Sequence, residues 1–204
     1  SLSLPEWLSM LNPITFSAET IENVLNHGGY AIISAGRNPA VREEFYLPHR
    51  VIAQRTARLA NDIKNRYLYS SILGAYDGAR ERSFFLILQN ESPRDELTDL
   101  VHLATKYNQE SIIYTRRATP PIQQLIYTTG QYGGRFVEGT GYERLSSNVT
   151  DNYSCMRLCS NATFQFTLNF NFHTVYVNHT QLHTNQLLAH HQCNRQANRR
   201  RCRQ

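Results

Sequence analysis

Cysteine is missing from the first three quarters of this 204-residue chain. All four, Cys155, Cys159, Cys193 and Cys202, fall in the last quarter, so the body is not a disulfide scaffold. No apolar run approaches the roughly 20 residues that a membrane-spanning helix needs. The first eleven residues, SLSLPEWLSML, lack both a basic segment and a sustained apolar run, and so do not read as a signal peptide. Beyond Asp151 there is no acidic residue, no Lys, no Gly and no Pro. The last quarter is therefore foreign in composition to what precedes it.

What is present points to a globular body. A hydrophobic fraction of 41% is near the norm for folded domains and argues against wholesale disorder. The net charge of +5 is unevenly placed. Five of the 21 basic residues are Arg195, Arg199, Arg200, Arg201 and Arg203, leaving 16 basic against 16 acidic groups over residues 1–194. The imbalance belongs to a tail, and arms of this kind bind phosphate with little sequence preference.

The clearest unit spans residues 83–115. An apolar run over 83–89 reads as a strand. Ser92 and Pro93 open a helix, with Asp95 and Glu96 in its first turn, where the helix dipole favours acids. Leu97, Leu100, Val101, Ala104 and Tyr107 then follow at helical spacing. Asn108 ends that helix, and residues 111–115 form another strand. Before this unit come an amphipathic segment at 2–11 and a helix from Ser17 to about Asn26 stopped by Gly28-Gly29. A strand follows at 30–35, then a helix at 49–65 with Ile52, Leu59 and Ile63 inward and Arg50, Arg55, Arg58, Lys64 and Arg66 on or near its outer side. A strand at 67–75 completes the run. The order strand, helix, strand, strand, helix, strand predicts an α+β, ferredoxin-like βαββαβ two-layer sandwich. A hairpin is expected from 122–127 and 135–137 around residues 130–134. Residues 163–172, TFQFTLNFNF, alternate strictly and predict a half-buried strand that pairs with that hairpin or with another chain. The expected organisation is an N-terminal helical segment at 1–28, a core domain at 29–142, a β extension at 143–180 and a flexible Arg-rich tail at 181–204.

Four pieces, YAIISAGRNP at 30–39, the Arg-bearing helix, ERSFFLI at 81–87 and LATKYNQESIIYT at 103–115, resemble a family of small uncharacterised bacterial and phage proteins, domain of unknown function 3293. The resemblance covers about 29–115 and departs from the family pattern at Gly36-Arg37, where an aromatic is expected before Asn-Pro. It implies a compact α/β domain of bacterial or viral origin and no established reaction.

Polar residues gather at the expected strand ends: Arg37, Asn38, Asp77, Arg80, Glu81, Arg82, Gln109 and Glu110. Glu81 beside arginines is the candidate acid or base, and Arg37, Asn38, Arg80, Arg82 and Gln109 are candidate ligand contacts. Ion pairing at a polar rim accounts for the same residues without function. The glycine-containing loops at 74–78 and 130–134 lack the lysine and the following helix of a phosphate-binding loop and read as turns. Cys155-x-x-x-Cys159 with His190, His191 and Cys193 lacks the paired spacing of a zinc ribbon, so no metal and no cofactor is expected. A Cys155–Cys159 disulfide or free thiols are the alternatives there. No nucleophile elbow is present. Five glycosylation sequons, at Asn90, Asn148, Asn152, Asn161 and Asn178, leave a secreted or virion-surface glycoprotein as one reading.

The sequence thus favours a non-enzymatic phage or bacterial accessory protein. It would act by protein assembly or self-association through the 164–172 strand, with weak nucleic-acid contact through the tail arginines. It would reside in the host cytoplasm or on a virion and not in a membrane. The alternative is an enzyme acting on a phosphorylated or nucleotide substrate at the Arg37/Arg80/Glu81 rim.

Overall fold

The computed structural model describes residues 14–76, 79–89, 92–146, 151–177 and 180–182. Helix α1 (Ala18–His27) begins at Ser17, whose Oγ accepts the Thr20 N–H at 3.2 Å. It ends at Gly28, where φ is +84° and an added Cβ would lie 2.4 Å from the Arg116 carbonyl oxygen, so only glycine fits. Strand β1 (Tyr30–Ser34) follows, then a short 3-10 turn (Arg42–Tyr46), helix α2 (His49–Ile63), and strands β2 (Leu68–Tyr76) and β3 (Ala79–Ile87). Helix α3 (Pro93–Lys106) carries the predicted Pro at its start and acids in its first turn, and Asn108 leaves it at φ +54°. The remaining strands are β4 (Ser111–Arg116), β5 (Ile122–Tyr127), β6 (Phe136–Leu145), β7 (Tyr153–Arg157), β8 (Thr163–Val177) and β9 (Thr180–Leu182).

The sheet runs β6-β5-β4-β1-β3-β2-β7-β8-β9, every named pairing is antiparallel, and β6 also pairs with β8. That last pairing closes eight strands into a barrel. The expected two-layer sandwich is therefore wrong. The element order from β1 to β4 is the one the sequence suggests, but its four-stranded sheet does not stop at its own edges. Strands β5 and β6 continue it past β4, β7 and β8 continue it past β2, and the two ends meet. Closure removes both open edges, and it needs curvature. Strand β6 supplies this with an irregularity between Gly139 and Gly141, where Gly141 has φ +113°. Gln123 on β5 pins that bulge by accepting the Gly141 N–H at 3.0 Å.

Both faces of β1, β3 and β4 are covered, which is why they read as apolar runs rather than alternating ones. Outside, Ala31, Ile33, Phe84, Leu86 and Ile112 pack under Leu59, Ala60 and Ile63 of α2 and Leu100, Leu103 and Ala104 of α3. Inside, Tyr30 and Phe85 stack with ring centroids 5.1 Å apart, among Met156, Phe164 and Phe166. Ile21, Val24 and Leu25 of α1 join this inner cluster, so α1 stops the barrel end at which β1 begins. At the opposite end Tyr127, Tyr132, Val137 and Val175 form a third cluster, with Leu125, Phe170 and Phe172 half-buried against it.

The alternating 163–172 segment pairs within the chain, with β6 of the expected hairpin along one edge and with β7 along part of the other. Between the pairs Glu138↔Asn171 and Phe136↔Tyr176, β8 takes three residues more than β6. An odd slip turns the alternation over, so Val175 rather than Tyr176 is buried. The amphipathic segment expected at 2–11 lies outside the described residues. So do Asp77, His190, His191, Cys193, Cys202 and the tail arginines Arg195, Arg199, Arg200, Arg201 and Arg203. No helix among the described residues is long and apolar enough to cross a membrane.

Candidate active site

The end of the barrel opposite α1 gathers the C-terminal end of β1, the start of β3 and the segment leading into β4. On β1 the residues Tyr30, Ile32 and Ser34 face inward, and on β3 so do Ile87, Phe85, Ser83 and, at the rim, Glu81; Ser34 is directly opposite Ser83. The two serines are small, and Glu81 follows them to the mouth of the lumen.

The Glu81 carboxylate is held firmly on one side. Its Oε1 accepts the Ser34 hydroxyl at 2.6 Å, and Ser34 Oγ in turn accepts the Gly36 N–H at 3.0 Å. Gly36 is a seat for the same oxygen, because a Cβ there would fall 2.4 Å from Glu81 Oε1. Among the described residues Oε2 accepts no hydrogen bond. Glu81 retains exposed surface although its carboxyl is hemmed in by protein. The crowding of the carboxyl sets the direction of its acidity. Burial, the larger cause, and the nearby negative charge of Glu110 push its pKa above the ordinary carboxylate range, against the opposing pull of the Ser34 hydrogen bond.

Behind Gly36 lies a polar scaffold. The Gly36 carbonyl accepts from Gln109 Nε2 at 2.8 Å and from Arg55 Nη2 at 3.0 Å. Arg55 Nη1 contacts both Glu44 oxygens at 2.8 Å, and the two side chains are only 14% and 9% exposed. Asn38 donates to the Asn108 carbonyl at 2.7 Å and to Thr129 Oγ1 at 3.1 Å. The hydroxyls of Thr128 and Thr129 both donate to the Gln109 carbonyl.

Of the candidates read from the sequence, Glu81, Asn38 and Gln109 come together at this mouth. Glu110 is close enough for its charge to act on Glu81. Arg37 is half-buried and spends its guanidinium on the Leu47 carbonyl at 2.6 Å. Arg80 and Arg82 flank Glu81 in sequence and therefore point to the other side of β3. Both are exposed, and Arg82 donates to Ser71 Oγ. Among the described residues the Glu81 carboxylate thus lies against Ser34 and Gly36, and no arginine side chain pairs with it. Arg55, assigned on or near the outer side of its helix, is instead mostly covered, its side chain 14% exposed. Its position, three residues after Ile52 and four before Leu59, lies on the apolar stripe and carried that signal. Among the described residues Cys155 and Cys159 are free thiols, and burial pushes Cys155 up. Among the described residues no three metal-ligating side chains cluster.

A family model, S-adenosylmethionine lyase, matches residues 32–177. The chain belongs to the S-adenosylmethionine lyase family. No curated protein matches it. The match runs from within β1 to the last residue of β8, and so takes in every residue of the Glu81 network. It replaces the resemblance to domain of unknown function 3293. It also overturns the expectation of a non-enzymatic phage assembly protein, because membership of a lyase family speaks for an enzyme. The strand alternation that suggested assembly is accounted for by barrel closure.

Proposed function

We propose that this protein cleaves S-adenosylmethionine at a carbon–sulfur bond, and that the Glu81 mouth of the barrel is where it does so. The observation that carries this is the Glu81 carboxylate at the barrel mouth, fixed through Oε1 by Ser34 and Gly36, with no hydrogen bond to Oε2 among the described residues. S-adenosylmethionine presents a sulfonium and an ammonium, both cationic, and an anion held in partly desolvated surroundings attracts them more strongly than one in water. Glu110 adds to the same negative field. The half-buried rings of Phe170 and Phe172 at this end suit the stacking of a purine.

A lyase breaks the bond without adding water. The bonding pair stays on sulfur, which departs as a neutral thioether. The carbon fragment must then discharge the positive charge, either by losing a proton or by closing on the substrate's own carboxylate. In both routes the positive charge moves from sulfur toward carbon. A fixed carboxylate stabilises that displacement without having to reorganise. Phosphate is not part of this chemistry, and the arginines that suggested a phosphorylated substrate are turned away or used on backbone. The test is to incubate the protein with S-adenosylmethionine and follow its loss, and the matching appearance of a thioether, by liquid chromatography. Wild type should convert it and Glu81→Gln should not. No loss of S-adenosylmethionine with the folded wild-type protein sinks the proposal.

A further inference from the structure

Arg55 and Glu44 form a desolvated ion pair where the fold gives it little to stabilise. Such pairs are poor sources of stability, because taking both charges out of water offsets most of their attraction. This one holds no two regular elements of the sheet together. Glu44 sits on the 3-10 turn and Arg55 in the second turn of α2. The guanidinium spans from the Glu44 carboxylate to the carbonyls of Gly36 and Tyr107. Its fork thus ties the loop after β1 to the loop after α3. Gln109 grips the same Gly36 carbonyl from the other side.

Gly36 is the hinge of the matter. Its carbonyl is held by Arg55 and Gln109, its N–H supports Ser34 Oγ, and its bare Cα carries Glu81 Oε1. We propose that Arg55, braced by Glu44, is a positioning residue for the cleavage: it fixes Gly36 so that Ser34 and the Gly36 seat present Glu81 to the substrate. This rests on the reading that Glu81 serves S-adenosylmethionine cleavage. Arg55 touches no reacting atom; its effect passes through the backbone at Gly36.

Among the described residues the groups facing Glu81 are few. Glu110 approaches from the segment before β4, and Ser34 and Gly36 from the end of β1. Arg55 and Glu44 stand behind Gly36, and Arg80 and Arg82 lie on the other side of β3. Releasing Gly36 lets water reach Oε1. Because burial is the largest cause of the raised pKa, its loss moves the pKa down, toward the ordinary carboxylate range.

Steady-state cleavage is measured against pH for wild type, Arg55→Lys, Glu44→Gln and Glu81→Gln, with folding checked by circular dichroism. Lysine keeps the charge but cannot reach Glu44, Gly36 and Tyr107 at once. The expected result for Arg55→Lys is a kcat lower by roughly tenfold to a hundredfold, the scale of a small misplacement of a reacting group. KM should change little, and the acid limb of kcat/KM should shift to lower pH. Glu44→Gln should give the same pattern, more weakly, and is read in its place if Arg55→Lys does not fold. A folded variant with wild-type kcat and an unmoved acid limb overturns the positioning role while leaving the Glu81 reading intact. A Glu81→Gln protein that still cleaves at the wild-type rate overturns that reading and this inference with it.

Discussion

Glu81 concentrates the functional argument at the scale of single residues. A carboxyl whose folded pKa is raised holds its proton at pH values where the unfolded chain has already lost its own. Its contribution to folding is complete below the ordinary value of 4.5 and is lost as pH rises through the folded value. Glutamine has no such charge to desolvate. Glu81→Gln is therefore expected to melt at the same temperature as wild type or a few degrees higher at pH 8, the gap closing at pH 4, while cleavage is lost. A clear drop in melting temperature at pH 8 would mean that the ionised carboxylate supports the fold. The same placement predicts that wild-type kcat/KM falls on the acid side with a midpoint above the ordinary carboxylate range, a limb that reports the free enzyme. Gly36→Ala separates position from charge. Its φ lies outside the left-handed region, so the backbone accepts alanine, but the new methyl would meet Glu81 Oε1 at 2.4 Å. A folded protein is expected, with a modestly lower melting temperature and cleavage reduced by at least about tenfold through displacement of Glu81.

Single elements show where the sequence speaks and where it is silent. Helices α1, α2 and α3 and strands β1 to β5 were legible because periodicity, caps and breakers are local. Ser17, Pro93 and Asn108 each mark a boundary that the structure keeps. Closure was not legible. Strand β7 reaches β2 through only Leu73↔Cys155, Gly74↔Ser154 and Ala75↔Tyr153, and no local pattern announces a partner some 80 residues away in sequence. Glycines at 139 and 141 flank the irregularity in β6, but no local pattern says that it brings β6 to β8. The site was half legible for the same reason. Glu81 was visible as a polar residue at a strand end, whereas period-two alternation already placed Arg80 and Arg82 on its far side, and the charge of Arg55 masked its place on an apolar stripe. Strand β8 offers the element-level test. Phe166 is fully buried in the inner cluster, and Phe172 is half-buried at the mouth. Phe166→Ala should cost about 3–5 kcal/mol in chemical denaturation, and Phe172→Ala less than half of that. Equal losses would contradict the inward packing of β8 described above.

For the whole molecule, the extent of the family match and the extent of the folding unit differ. The match begins at residue 32, yet the inner cluster is completed by Phe16, Ile21, Val24 and Leu25, each no more than 9% exposed. Phe16 also bridges to Leu158 just beyond β7, and Arg144 of β6 pairs with Glu22 of α1. Removing this segment uncovers Tyr30, Phe85 and Phe164 at the closed end of the barrel. Each large side chain returned to water costs about 1.5–3 kcal/mol. Three or four of them amount to a large part of the roughly 5–15 kcal/mol that holds a domain folded. A chain cut to residues 30–182 is therefore expected to aggregate or to lack a cooperative melt. A chain cut to residues 14–182 should melt like the full protein and cleave S-adenosylmethionine with an unchanged kcat/KM. It keeps α1 and every residue of the Glu81 network and loses residues 1–13 together with the arginine-rich end at 183–204. If that shorter chain folds but does not cleave, a group outside residues 14–182 takes part in the reaction, and the barrel mouth alone is not the site.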